Sequence, residues 1–308
     1  MSSRRTALLF PGQAAHGAEA MRAMEVLPSW IEHRALATQV LGHDPLTGPD
    51  LDANVPSSLI AVLASAVCLA RYRAETRDPE FAVAGHSVGQ WSALYAAGSL
   101  DLKTLVRVIA ERGRLMDEAI AGTPSGMFAV LGVTSERLEA VLAGMRAAGH
   151  EVHVSAYNAP GQHTIGGAAS AIDVAIPQLR AAGAKRLVRL PVAGAWHTRL
   201  LSGAAERFGR FLRTIELRPP GVPVADNVTG GLLPTDGDEL RAHLSLHLTR
   251  PVRWDPSIRA LIRSGAERMI EIGYGTVLTR FGTFIDRTVE HAPVLPEPGR
   301  SILPSPGA

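Results

Sequence analysis

One stretch, "EFAVAGHSVGQWSALYAAG" (80–98), constrains the fold of this chain more than any other. A short apolar run ends in a glycine, a turn holds Ser87 between Gly85 and Gly89, and apolar residues then recur at helical spacing until Gly98. A strand that passes through a glycine-flanked turn into a helix has the nucleophile-elbow pattern. Such a turn places the serine hydroxyl at the head of the helix, where backbone N–H groups can meet a developing oxyanion. The pattern alone leaves Ser87 either a nucleophile or an ordinary serine in a glycine-rich turn.

Strands and helices are predicted to alternate along both ends of the chain. Short apolar runs that stop at glycine or proline indicate buried strands, and longer runs with apolar residues three and four apart indicate helices. This alternation predicts an α/β fold with a mostly parallel sheet. The predicted strands are 6–10, 80–85, 222–228 and 267–273, and the predicted helices are 57–74, 89–98, 102–120, 200–215 and 256–265. The chain from Pro293 onward is predicted to be irregular because it is rich in proline.

The middle of the chain follows a different order, β-α-β-β-α-β, which is the split βαβ or ferredoxin-like unit. We predict that it forms a small subdomain, residues 125–191, inserted between two parts of a larger catalytic domain, residues 1–124 and 192–308. The predicted strands here are 126–133, 151–158, 162–167 and 185–192. The predicted helices are 135–149, with Ser135 as N-cap and Gly149 as stop, and 170–183.

Composition narrows the classes of protein that this chain can belong to. The net charge of +2 is too small to predict a nucleic-acid surface. The single cysteine, Cys68, cannot form an intramolecular disulfide and is predicted to be a small core residue. The N-terminal apolar run is too short for a signal peptide, and the longest apolar stretch is interrupted by Ser65 and ends at Arg71. We therefore expect a cytoplasmic protein that does not span a membrane.

A nucleophilic serine needs a base, and seven of the eleven histidines are conceivable partners. They are His86, His153, His163, His197, His243, His247 and His291. His197 is favoured by position, since it follows a predicted strand and precedes a helix, where active-site residues of open α/β sheets lie.

His243 and His247 stand one helical turn apart and would suit a metal, but no third ligand is evident, and a polar helix face explains them more simply. No metal site is therefore predicted. The acids between Ser87 and His197 all fall on predicted helices, which favours a Ser–His dyad over a triad. Phosphate-loop and dinucleotide motifs are absent from the sequence.

The chain resembles a known family, the malonyl-CoA:acyl-carrier-protein transacylases of fatty-acid synthesis together with the related acyltransferases of polyketide synthases. The similar segments run in order over about residues 7–285, so the resemblance is global. They are "LLFPGQ" (8–13), "GHSVGQWSALYAAGSLD" (85–101), "ERGRLM" (111–116), "YNAPGQHTIGG" (157–167), "GAWH" (194–197), "RPVRW" (250–254) and "EIGYGTVLT" (271–279). The family fold, an α/β-hydrolase-like core with a ferredoxin-like insert, agrees with the organisation predicted above.

The resemblance implies a ping-pong acyl transfer through an acyl-serine intermediate. Ser87 would attack the thioester carbonyl of an acyl-CoA, and His197 would accept its proton. The backbone N–H groups of Val88 and of the chain around Gln13 would hold the oxyanion. A main-chain carbonyl, matched here to Arg253, would orient the histidine, which would explain the missing acid.

The resemblance also implies which acyl group is bound. Arg112 matches an arginine that binds the free carboxylate of malonate. Without the resemblance, its position in a predicted helix would indicate only a solvated arginine. His86, Asn158 and Trp196 are expected to line the substrate pocket. A tryptophan at 196 departs from the family pattern, and its bulk would favour malonyl over methylmalonyl groups. Gln90 also departs, because a glutamate usually follows the elbow glycine.

The expected substrates are malonyl-CoA and the phosphopantetheine arm of an acyl carrier protein, with no bound cofactor and a monomeric enzyme. Two alternatives stay open at this point. The chain could be an acyl hydrolase that clears stalled carriers, or a carrier-docking module whose dyad is vestigial. The acyl group could also be one other than malonyl.

Overall fold

The computed structural model describes residues 4–13, 17–48, 50–76 and 79–294. In chain order these form β1 (Thr6–Phe10), α1 (Gly17–Met24), α2 (Pro28–Leu41), α3 (Asn54–Glu75), β2 (Glu80–Gly85), α4 (Gly89–Ala96), α5 (Leu102–Ile120), β3 (Ser125–Leu131), α6 (Ser135–Ala147), β4 (Val152–Ala159), β5 (Gln162–Ala168), α7 (Ala169–Ala181), β6 (Arg186–Arg189), a 3₁₀ turn (Arg199–Leu201), α8 (Ser202–Leu212), α9 (Gly237–Leu246), α10 (Trp254–Arg263), β7 (Arg268–Ile272), α11 (Val277–Ile285) and β8 (Glu290–Val294).

The first sheet is parallel and has the strand order β2-β1-β7-β8. Its central strand β1 is buried on both faces, as its uninterrupted apolar sequence predicts. Leu8 and Phe10 face a large core built with the helices on one side, and Ala7 and Leu9 face a second core that includes Trp254 and Ile258 of α10. The sheet thus lies between two apolar layers, and the carboxyl ends of β1 and β2 lead into the loops that carry the site.

The second sheet is antiparallel, with the strand order β4-β5-β3-β6. Helices α6 and α7 cover it and form a separate core that includes Leu138, Leu142 and Leu179. This order and the sequence β3-α6-β4-β5-α7-β6 are those of a ferredoxin-like unit. The predicted fold class, a mainly parallel α/β core with a ferredoxin-like insert, is confirmed. The division at residues 124/125 and 191/192 stays a prediction.

Several local predictions differ from the structure for identifiable reasons. Thr134, and not Ser135, is the N-cap of α6, since its hydroxyl accepts the Arg137 backbone N–H. The chain at Pro293 is not irregular but belongs to β8, which lies at the edge of its sheet, where proline is tolerated. Residues 222–228 form only isolated bridges, from Val224 to Val83 and from Ala225 to Leu232. Helices α1, α2 and α11 are not predicted from the sequence, and α9 is anticipated only around His243. Residues 295–308 of the tail lie outside the described residues.

Helix α3 is longer than the sequence predicts. With 22 residues, it has the length and hydropathy that could span a membrane, in contrast to the expectation from Ser65 and Arg71 that no stretch reaches that length. However, 72% of its most apolar window is buried inside the protein, as in the core helix of a globular domain. Cys68 is among the buried residues of this helix, as predicted.

Candidate active site

Ser87 lies in a sharp turn between β2 and α4. Its φ of +52° is in the left-handed region that non-glycine residues rarely adopt. The flanking glycines make this turn feasible, because a Cβ on Gly85 would collide with the Gly89 carbonyl and one on Gly89 would collide with Phe10. The strain at Ser87 is therefore maintained by close packing of the turn against β1.

His197 completes a dyad with Ser87. The Ser87 Oγ lies 2.7 Å from His197 Nε2, and His197 Nδ1 lies 2.8 Å from the main-chain carbonyl oxygen of His247. A carbonyl oxygen only accepts, so Nδ1 must carry the imidazole proton. Nε2 is then left bare, and it accepts the Ser87 hydroxyl proton. This is the tautomer that a general base needs.

The surroundings of His197 keep its imidazole neutral. The side chain is 4% exposed, and burial, with repulsion from Arg112 and His86, lowers its pKa to about 3 against the opposing effect of the His247 carbonyl. The imidazole of His197 is therefore uncharged throughout the neutral pH range, and its Nε2 can accept the proton of the Ser87 hydroxyl.

The expected role of the Arg253 carbonyl in orienting His197 is wrong. That carbonyl accepts the Ser257 N–H in the first turn of α10. His247 supplies the orienting carbonyl instead. A main-chain role leaves no side-chain signal in the sequence, and for this reason the residue could not be picked out from spacing alone. His247 was also not expected to be buried, because a polar helix face was the simplest interpretation.

Candidate oxyanion donors lie on both sides of Ser87. Val88 immediately precedes α4, and the first N–H groups of a helix have no intrahelical acceptor. Gln13 follows Gly12, whose backbone packs tightly against the nucleophile turn. A Cβ added at Gly12 would lie only 2.9 Å from the His86 carbonyl oxygen. Gln13 itself lines the cavity with Ser87.

Arg112 is not the solvated helix arginine that its spacing alone would suggest. It points inward from α5, is 1% exposed, and within the described residues its Nε and Nη2 have no hydrogen-bond partner. Burial lowers its pKa to about 10, so it is still charged at neutral pH. Its positive charge is near enough to His197 to contribute to the lowered pKa of that imidazole. A buried, unpartnered cation of this kind is costly unless an anion joins it.

A cavity of about 100 Å³ opens at the dyad. His86 and Trp196 line it, together with Met127, Leu190 and Val192 among others. Trp196 folds back over Gly194, where a Cβ would lie 2.5 Å from the indole ring. Asn158 does not line the cavity itself, but its Oδ1 lies 2.9 Å from His86 Nε2, and so it supports the wall from behind.

The remaining candidate histidines are bonded elsewhere. Nearby partners are Glu151 for His153, the Val133 carbonyl for His163, the Asp286 carbonyl for His291 and Asp226 for His243. His243 and His247 thus bond to different neighbours and do not converge on a metal. Over the described ranges, no group of three or more potential metal ligands occurs.

Gln90, the departure from the family glutamate, has a defined structural role. Its side chain is 1% exposed and bridges α4 to the loop that follows Val224. Its Nε2 donates to the Ala225 carbonyl at 3.0 Å, and its Oε1 accepts the Asn227 N–H at 3.2 Å. The bridge needs one donor and one acceptor, which an amide supplies and a carboxylate does not.

Restoring glutamate at this position is therefore expected to destabilise the protein. In Gln90→Glu, one carboxylate oxygen would face the Ala225 carbonyl in a buried site, at a cost of about 1–3 kcal/mol. The pKa of this carboxyl would be raised in the folded state, so the loss should be smaller at pH 5 and grow as the pH rises to 8. Urea unfolding at both pH values measures it, with the exposed Gln178→Glu on α7 as control. Equal stability of Gln90→Glu and wild type at pH 8 would contradict this role.

Comparison with known proteins adds to this geometry. The sequence profile of the acyl transferase domain matches residues 55–296. The chain is 34% identical over 280 residues to a malonyl CoA-acyl carrier protein transacylase of Escherichia coli K12, covering 89% of this chain and 90% of that protein. It is 37% identical over 280 residues to the polyketide biosynthesis protein ThaF of Burkholderia thailandensis, covering 89% of this chain. The matched part is 23% of ThaF.

A solved complex shows the same fold. It contains a malonyl-transacylase, PlMCAT, bound to the type II polyketide synthase acyl-carrier protein AntF in its holo form. The match to this chain has a TM-score of 0.86 at 29% sequence identity, and it covers 94% of this chain and 95% of that one.

Proposed function

The chain belongs to the acyl transferase domain family and is an acyltransferase, and from this premise we propose that it moves a malonyl group from CoA to an acyl carrier protein. The observation that carries the malonyl assignment is Arg112, a buried guanidinium near the Ser–His dyad whose Nε and Nη2 have no hydrogen-bond partner among the described residues. A guanidinium pairs with a carboxylate through two parallel hydrogen bonds. Malonyl groups carry that carboxylate and acetyl groups do not. The same feature argues against a hydrolase that clears uncharged acyl chains.

The first half of the reaction acylates Ser87. As the Oγ attacks the thioester carbonyl, its proton passes to Nε2 of His197, and the Nδ1–H bond to the His247 carbonyl supports the imidazolium that forms. The backbone N–H groups of Val88 and Gln13 are the proposed oxyanion donors. Collapse of the tetrahedral intermediate breaks the C–S bond, and the departing CoA thiolate takes the proton back from Nε2.

The second half is the reverse with a different thiol. The phosphopantetheine thiol gives its proton to His197, its sulfur attacks the acyl-serine carbonyl, and the Ser87 Oγ leaves and is reprotonated from Nε2.

A groove of about 270 Å³ opens over His197 and is lined in part by Arg146, Arg199 and Arg250. Arginines there suit the phosphates of CoA and of the carrier arm. The AntF complex supports a carrier protein as the partner. No cofactor takes part in this scheme. We further expect a cytoplasmic monomer.

Exposure to a panel of acyl-CoAs tests the proposal. The protein is incubated in turn with malonyl-, methylmalonyl- and acetyl-CoA and analysed by intact-mass spectrometry. We expect a malonyl adduct in preference to both others, because Arg112 pairs with the carboxylate and Trp196 limits the space. Addition of a holo carrier protein should then discharge the adduct onto the carrier thiol. A dominant acetyl adduct, or release of free malonate with no carrier product, would overturn the assignment.

A further inference from the structure

Asn227 lies at the centre of a buried hydrogen-bond network beneath the nucleophile turn. It is 1% exposed, and its side chain reaches two residues of that turn. Its Oδ1 accepts the Ser87 backbone N–H at 2.9 Å, and its Nδ2 donates to the Gly85 carbonyl at 2.7 Å. A backbone N–H only donates and a carbonyl only accepts, so both bonds require the amide to stand in this orientation.

The same Oδ1 faces a second donor, Nε2 of His247, at 3.2 Å. Since Oδ1 can only accept, His247 must carry its proton on Nε2. The pKa of His247 is well below its usual value because of burial and of repulsion from His197, Arg112 and His86, which together exclude a second proton on the ring. The side chain of His247 is thus bound to Asn227 while its carbonyl holds His197 Nδ1.

These contacts join the nucleophile and the base through one amide. On one side, Asn227 anchors the N–H of Ser87 in its left-handed conformation. On the other, it anchors the residue whose carbonyl fixes the tautomer of His197. The main chain of Asn227 is hydrogen-bonded as well. Its N–H donates to Gln90 Oε1, and its carbonyl accepts the Arg253 N–H.

We propose that Asn227, acting together with the side chain of His247, is a positioning residue for the acyl transfer: it holds the Ser87 Oγ and the His197 Nε2 at their reacting distance. Neither side chain contacts the substrate cavity. This inference rests on the Ser87 chemistry proposed above, but not on the identity of the acyl group. A fluorophosphonate that reacts with Ser87 therefore tests it independently of malonyl transfer.

The first test removes the amide. For Asn227→Ala we expect the rate constant for phosphonylation of Ser87, and kcat for malonyl transfer, to fall about 10- to 100-fold, because small misplacements of reacting groups are costly. The KM for malonyl-CoA should change little, since no substrate contact is lost. Leu244→Ala, a buried change on α9 near His247, serves as a control for destabilisation. Rates are expressed per folded molecule. A rate for Asn227→Ala within about twofold of Leu244→Ala would overturn the proposal.

The second test separates the side chain of His247 from its carbonyl. His247→Phe keeps the carbonyl and the ring shape but loses the N–H to Asn227, whereas His247→Gln keeps an N–H donor. We expect His247→Phe to lose about 10-fold in the phosphonylation rate, and His247→Gln to recover most of that loss. Equal rates for the two variants would show that the side chain has no positioning role.

The third test is an isosteric change with a signature in pH. In Asn227→Asp, an oxygen replaces the nitrogen that faces Gly85, so the network needs the carboxyl to stay protonated. The rate relative to wild type should be highest near pH 5.5 and fall by about 10-fold as the pH rises and the carboxyl ionises. The charged and titratable groups around this network include Arg112, His86 and His197, which act on His247, and the buried Asp226, which precedes Asn227 and lies 2.9 Å from His243 Nδ1. A ratio to wild type that does not vary with pH would overturn the proposal.

Discussion

Ser87→Ala is expected to abolish the acyl-enzyme and to lower kcat for malonyl transfer by at least about 10⁴-fold. The loss is this large because, among the described residues that line the cavity, neither Ser155 nor Thr164 is hydrogen-bonded to a histidine. The Ser87 Oγ, 2.7 Å from a bare imidazole nitrogen, is the atom that must form the ester bond. Retention of a labelled malonyl group after denaturation measures the adduct, and product formation with a holo carrier protein measures transfer.

The matched control for this change is Ser92→Ala. Ser92 lies in α4, one turn past Ser87, is buried, and within the described residues its Oγ has no hydrogen-bond partner. Removing it should leave both the label and the transfer rate close to wild type. If Ser87→Ala retained label while Ser92→Ala lost it, the nucleophile would be misassigned.

The backbone strain at Ser87 predicts a difference in stability between two inactive variants, Ser87→Ala and Ser87→Gly. The φ of +52° disfavours any residue with a Cβ, so alanine should leave the strain in place and glycine should relieve it. Ser87→Gly is therefore expected to be more stable than Ser87→Ala by about 1 kcal/mol in urea unfolding, while both are equally inactive. A gain in stability for Ser87→Gly would show that the protein keeps a strained backbone at this position because the nucleophile needs it.

The sequence was sufficient to predict the strands and helices that carry the strongest patterns. The uninterrupted apolar run of β1 and the glycine that ends β2 are local signals of the parallel sheet. Short apolar runs and helical spacings in the middle of the chain are the equivalent signals of the ferredoxin-like order. The edge strand β8 was missed because Pro293 argues against a strand unless its position at the sheet edge is known, and that position depends on tertiary structure.

Some residues of the site could be predicted from the sequence and others could not. Ser87 has a local motif, and the resemblance to known acyltransferases indicated His197 and Arg112, which the fold brings together with it. The residues that hold this pair in place do not have such a motif. His247 acts through a carbonyl, and Asn227 acts on a turn 140 residues away in the chain. Neither contact is visible until the loop after Val224 is packed against α4.

Arg112→Ala is expected to reverse the choice of acyl group. Breaking a buried charge pair costs about 3–5 kcal/mol, which corresponds to a loss of about 10²- to 5 × 10³-fold in kcat/KM for malonyl-CoA. Acetyl-CoA has no carboxylate, so its kcat/KM should stay the same or rise. Arg112→Lys keeps the charge but not the planar fork, and should fall between the two. Competition between the two acyl-CoAs, read by intact mass, measures the ratio directly.

Arg112→Ala should weaken malonyl transfer without lowering the stability of the free protein. Because Arg112 is buried and its Nε and Nη2 have no partner among the residues described, replacing it removes an uncompensated charge, and Arg112→Ala should not lower the free energy of unfolding as a cavity-forming change would. The control is Arg114→Ala, on the same helix but in exposed ion pairs with Glu111 and Glu118, which should alter neither selectivity nor stability appreciably. A protein in which Arg112→Ala keeps its malonyl preference would hold the carboxylate by another group. A protein in which the same change is strongly destabilising would use Arg112 to support the fold, with substrate selection as a secondary role.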